Sequence, residues 1–109
     1  MITILQNPDI TDRLVFEAKD RGDLLGTLAC HIDGDTLYIT EITSEQFLID
    51  GLCRTALNFA SNRFVNKCVI APQKSDVWQE LLRLDFVQNN NNCINEIDNF
   101  FTSHKSCKK

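Results

Sequence analysis

At 109 residues, 43% hydrophobic and 24% charged, the chain has the size and composition of one globular domain that can bury a core without metal or disulfide support. A net charge of −4 argues against a nucleic-acid surface, which needs a basic patch, and the clustered cations Lys105, Lys108 and Lys109 sit together in the tail. No apolar run reaches membrane-spanning length and no charged-then-apolar leader opens the sequence, so a cytoplasmic protein with its five cysteines reduced is expected.

The β-branched opening Ile2-Thr3-Ile4 predicts a short strand from Met1 to Leu5. Asn7-Pro8-Asp9 breaks it, because proline disfavours helical backbone in the residue before it. Leu14 to Lys19 reads as the next strand, Asp20-Arg21-Gly22-Asp23 as a turn, and Leu24 to Ile32 as an antiparallel return. Asp33-Gly34 supplies the positive φ of a tight hairpin, and a further strand runs from Thr36 to about Thr43. Gly26 in the partner strand predicts a bulge or a close approach. Strict alternation sends Leu37 and Ile39 to one face and Tyr38 and Ile42 to the other, so cover on both faces is expected.

The period then changes. Leu48, Leu52, Ala56 and Phe59, with Cys53, Leu57, Ala60 and Phe64 beside them, form a broad helical stripe. Asp50 is placed to cap its start; alternatively, Ser44 begins a short turn and the helix follows later. Lys67 to Ala71 reads as a short buried strand stopped by Pro72, and Ser75 as the cap of a second helix with Val77, Leu81 and Leu84 inward. Asp85-Phe86-Val87 reads as extended, Asn89 to Asn92 as a hairpin loop and Cys93 to Ile97 as a last strand, with Phe100 and Phe101 packing back. The order predicts an α/β fold: a mixed sheet, an antiparallel meander followed by β-α-β-α-β, and helices on both faces. One domain over 1–104 with a flexible tail over 105–109 is expected.

This layout, with Gly51-Leu52-Cys53 running on to Ala56-Leu57, Cys68 to Ala71 as the following strand, and an Asp85-Phe86 corner, resembles the GNAT superfamily of acetyl-CoA-dependent N-acyltransferases. The family's pyrophosphate loop runs Gln or Arg, two residues, Gly, one residue, then Gly or Ala. Here Leu48 stands at its head, Gly51 at its glycine and Cys53 at its last small position. Leu81 replaces the tyrosine that often acts as general acid, and Lys74 replaces an asparagine near the start of that helix. The interval from Leu5 to Leu14 leaves no room for the family's two N-terminal helices.

The resemblance implies a GNAT-like domain that binds acetyl-CoA or a related acyl-CoA and, if it turns over, passes the acyl group to an unidentified amine. N–H groups of Gly51, Leu52, Cys53 and Arg54 would hold the pyrophosphate, with Ile49 and Asp50 in the same turn and Arg54 adding a cation. A pantetheine arm would lie along Ile42 and Thr43.

Glu41, the carboxylate within the third meander strand, is the candidate general base, set against the plainer reading of a solvated glutamate. Tyr38 has the chemistry of a general acid, though strand aromatics are more often core. Cys53 at a helix start could be a nucleophile, but small buried cysteines are commoner. A metal site is not expected: Cys30 and His31 point to opposite faces, no Cys-x-x-Cys occurs, and Cys93, His104 and Cys107 meet only if the tail folds back. The rival reading is a noncatalytic, degenerate GNAT module for CoA sensing or protein association, favoured by the missing tyrosine and the short N-terminus. An exposed sheet edge or an uncovered acceptor face would allow a homodimer.

Overall fold

The computed structural model describes residues 1–98 and 100. β1 (Ile2–Gln6), β2 (Leu14–Asp20), β3 (Asp23–Asp33) and β4 (Thr36–Ser44) form an antiparallel meander. A 3-10 turn (Gln46–Leu48) leads into α1 (Ile49–Ser61), and β5 (Lys67–Ile70) returns parallel to β4. After α2 (Ser75–Arg83), β6 (Cys93–Ile94) pairs antiparallel with β5. The sheet order β1-β2-β3-β4-β5-β6 is the α/β mixed sheet that the sequence predicts.

The hairpins turn where positive φ is available. Arg21 and Gly22 sit at φ 55° and 90°, and Gly34, between paired Asp33 and Thr36, sits at 64°. Two bulges then set the faces. Leu25 is the extra residue opposite Ala18 and Lys19. Next to it Gly26 is in close approach, since a Cβ there would meet Ser44 Oγ at 2.3 Å and Ser44 Cα at 3.1 Å. Thr40 is the extra residue in β4, because Ala29 pairs with Glu41 while Cys30 pairs with Ile39. Its hydroxyl donates to the Ala29 carbonyl at 3.1 Å.

That second bulge corrects the expected face of Ile42. Alternation slips by one residue at Thr40, so Ile42 joins Leu37 and Ile39 in the core instead of opposing them. α1 contributes Ile49, Leu52, Cys53, Ala56, Leu57 and Ala60 to this core, and α2 contributes Val77 and Leu81. They pack with Phe16, Leu28, Leu37, Ile39 and Ile70 of the sheet. The opposite face carries Glu17, Thr27, His31, Tyr38, Glu41 and Thr43, half-buried or exposed, so the helices expected on both faces share one, and among the described residues no second apolar layer covers the other.

Neither helix is capped as expected. The residues before α1 and α2 are Leu48 and Lys74, without side-chain caps, and Ser75 is already helical. Both helices stop on left-handed residues other than glycine, Phe64 (φ 63°) and Asp85 (φ 66°). At α2 the Phe86 N–H reaches the Leu81 carbonyl at 3.0 Å and the Asp85 N–H reaches Leu82 at 3.1 Å, a Schellman stop. The turn drives Phe86 and Val87 into the core, so the extended piece expected there does not form. The last strand is also shorter than expected. Beyond Ile94 the chain turns, the Ile97 N–H reaching the Asn66 carbonyl at 2.8 Å, and Phe100 stacks on Phe86 with ring centroids 5.1 Å apart. Phe101, His104, Cys107 and the tail over 105–109 lie outside the described residues.

Candidate functional site

β4 and β5 pair from Thr36–Lys67 to Ile39–Ile70, and the Ala71 N–H adds a last bond to the Ile39 carbonyl at 2.9 Å. Pro72 follows, and among the described residues no strand pairs with β4 from Thr40 to Ser44 on that side. An unpartnered strand edge presents N–H and C=O groups that need partners. Here the partner is a side chain. The Ile42 N–H donates to Gln73 Oε1 at 2.9 Å, and Gln73 Nε2 donates to the carbonyls of Thr40 at 3.2 Å and Ala71 at 2.9 Å. Ile42 therefore presents its N–H to the splay while its side chain is in the core. Thr43 pairs with Thr27 of β3 and is exposed. Glu41 is exposed on the polar face beside this edge. On that face Tyr38 stacks on His31 with centroids 5.2 Å apart, so it is not a core aromatic.

The connection from β4 to α1 is wound rather than open. The Leu48 N–H bonds to the Glu45 carbonyl at 3.0 Å and the Ile49 N–H bonds to the Gln46 carbonyl. Helix α1 already begins at Ile49, so Gly51 lies within its first turn. An α-helix leaves N–H groups free only in its first turn, so those of Cys53 and Arg54 are engaged in the ladder. This narrows the expected cradle to the backbone around Asp50 and Gly51. The side chains of Ile49, Leu52 and Cys53 are all buried in the core. Asp50 does not cap the helix; its Oδ1 accepts from Arg54 Nε at 2.9 Å. The Arg54 guanidinium also lies 5.9 Å and 6.0 Å from the ring centroids of Phe86 and Phe100. A Cβ on Gly51 would meet Cδ1 of Ile4 at 2.8 Å, so this glycine makes room for β1.

A buried carboxylate ties this connection to α2. Glu80 is 4% exposed; Arg83 Nε donates to its Oε1 at 2.9 Å and Arg83 Nη2 to its Oε2. Gln46 Nε2 reaches the same Oε1 at 2.8 Å. Arg83 first, then Gln46, holds the Glu80 carboxyl below its ordinary value, and these bonds outweigh the desolvation that acts the other way.

Several solved structures resemble this chain, among them the following three. An IAA acetyltransferase from Bacillus cereus ATCC 14579 superposes with a TM-score of 0.62 at 18% identity, over 80% of this chain and 76% of that one. A GNAT family acetyltransferase from Elizabethkingia anophelis with acetyl-CoA bound gives 0.59 at 21% identity, over 79% and 74%. A probable acetyltransferase from Staphylococcus epidermidis ATCC 12228 gives 0.58 at 10% identity, over 68% of this chain and 51% of that one. The fold is that of the GNAT acetyltransferases. No family model and no curated protein matches the sequence.

Within the GNAT fold, this chain departs from the family pattern in ways that now have a geometry. Asp85, which the resemblance sets at the glycine of a Gly-Phe corner, is in the left-handed conformation at φ 66° although it is not glycine. Leu81, at the position of the often-seen tyrosine, is fully buried, so no hydroxyl is offered there. Burial pushes the thiols of Cys30 and Cys68 up to about 12 and raises Cys53 further, which removes Cys53 as a nucleophile at neutral pH. Cys30 is buried and His31 exposed on the other face. The residues that sequence reasoning missed are Gln46, Gln73, Glu80 and Arg83. Gln46 and Gln73 act by long-range hydrogen bonds that no spacing reveals. Glu80 and Arg83 sit at i and i+3 in α2, a detectable pair, but its burial was not legible.

Proposed function

We propose that the chain binds an acyl-CoA along the free edge of β4 and is an acetyltransferase-like protein that passes the acyl group to an amine. The observation that carries this is the splay itself: β4 keeps Ile42 N–H and Thr40 C=O on an edge that β5 has left, and an amide group already fills it. An arm that contains amides is matched to those two groups. The acetyl-CoA bound to the Elizabethkingia anophelis protein supports the choice of cosubstrate.

Acetyl-CoA would supply the acyl group as a thioester, in which attack by an amine forms the C–N bond as the C–S bond breaks. Main-chain N–H groups on the β4 edge would orient the arm and polarise the carbonyl. Glu41, exposed beside that edge, would take the amine proton. Asp50 and Gly51 would meet the pyrophosphate with backbone N–H, while Arg54 and Arg83 keep the neighbouring carboxylates of Asp50 and Glu80 paired.

A second reading, a noncatalytic GNAT module for CoA sensing or protein association, is favoured by Gln73 filling the edge and by Leu81 lacking a hydroxyl. Two measurements separate them. Acetyl-CoA at about a hundred times its dissociation constant should stabilise the fold by about 2.7 kcal/mol, several degrees of Tm at this size. No shift at millimolar acetyl-CoA would remove the acyl-CoA reading. Release of free CoA thiol across polyamines, amino acids and peptides supports turnover, whereas a thermal shift without release supports the module.

A further inference from the structure

The β4–β5 ladder ends at the Ala71 N–H, and Pro72 has no N–H with which to continue it. The next β4 groups, Thr40 C=O and Ile42 N–H, are met by the two ends of one carboxamide, that of Gln73. One residue of a neighbouring strand would offer the same pair, its C=O accepting from the N–H and its own N–H donating to the C=O. The Gln73 carboxamide is thus a stand-in for the N–H and C=O that successive amides of a ligand arm would present. It is half-buried at the mouth of the splay, reached from solvent, and attached by a flexible side chain. Ordering such a side chain costs entropy, which its three hydrogen bonds to Ile42, Thr40 and Ala71 offset.

We propose that Gln73 is an internal occupant of the arm subsite, and that an acyl-CoA arm binds only when the Gln73 side chain has swung out. The inference rests on the acyl-CoA reading above. The Gln73 carboxamide and the amide groups of the arm compete for one donor–acceptor pair, so only the Gln73-out fraction of the protein binds, and the apparent affinity is reduced by that fraction. Filling the edge when no acyl-CoA is present also keeps β4 from pairing with another chain.

The test compares the wild type with Gln73→Ala and Gln73→Met, the second keeping side-chain length while removing all three bonds. Far-UV circular dichroism checks the fold of each. Isothermal titration then measures two probes, acetyl-CoA and the nucleotide end of CoA without its arm. Net hydrogen-bond strengths predict acetyl-CoA affinity about five- to thirty-fold higher in both variants, with the nucleotide end unchanged. Acetyl-CoA affinity equal to or below wild type would overturn the gate while leaving acyl-CoA binding intact. An equal gain for the nucleotide end would also overturn it, by showing that the substitution acts on the loop and not on the arm. Absence of acetyl-CoA binding to all three proteins would overturn the gate and the acyl-CoA reading together.

Discussion

A Cβ at Gly51 would touch only the Cδ1 of Ile4, the mobile end of a β1 side chain. Glycine inside a helix is less favourable than alanine by about 1 kcal/mol. Gly51→Ala is therefore expected to leave the fold as stable as wild type or up to about 1 kcal/mol more stable in urea unfolding. Close approach of a phosphate to backbone N–H groups is a separate demand on the same position. If Gly51 serves it, Gly51→Ala weakens acetyl-CoA binding by at least about tenfold, or about 1.4 kcal/mol, with no loss of stability. Unchanged affinity in a stabilised variant would assign Gly51 to packing against Ile4 alone. The two readouts decouple what the sequence presents as a single glycine.

Among the elements, the 3-10 turn before α1 depends on α2 for its position. Gln46 is held by Glu80, and Glu80 by Arg83, so the segment that would approach a pyrophosphate is fixed from a different helix. The Glu80 carboxyl sits below its ordinary value of 4.5 in the folded state. A depressed carboxyl stabilises the fold above the unfolded value, and that contribution is lost as pH falls below it. Between about pH 6 and about pH 3, wild type should lose stability more steeply than Glu80→Gln in urea titrations. Parallel pH profiles would show that the pair contributes nothing.

The same scale shows what was legible. Gly22 and Gly34 announce the hairpins, and the stripe from Leu48 to Ala60 announces α1, because turns and amphipathic periods are written locally. The face of Ile42 was hidden because Thr40 has no property that marks a bulge; the slip comes from pairing with β3. Glu45-Gln46-Phe47 offers no capping pattern, so the turn that carries α1 back to Ile49 was visible only as an alternative beginning at Ser44. In the candidate site, the resemblance pointed to Ile42 and Thr43. The side chain that meets the Ile42 N–H was not legible, since Gln73 lies 31 residues away from Ile42 in sequence.

Taken as one body, the molecule buries one face of its sheet under both helices and leaves the other polar, with Glu41 on the open side of β4. In this chain β4 borders a splay where β5 has left it, and Leu81 offers no hydroxyl to the site. Its central property is therefore the free edge at Thr40 to Ile42 and what occupies it. Nitrogen-15 NMR of the protein titrated with acetyl-CoA reads that edge directly. The expected result is that the largest shifts fall on the Ile42 amide, the Gln73 side-chain amide, and the amides of Asp50 and Gly51. Shifts confined elsewhere, for instance around the cavity of about 540 Å³ lined by Arg13, His31, Phe59 and Arg63, would contradict it.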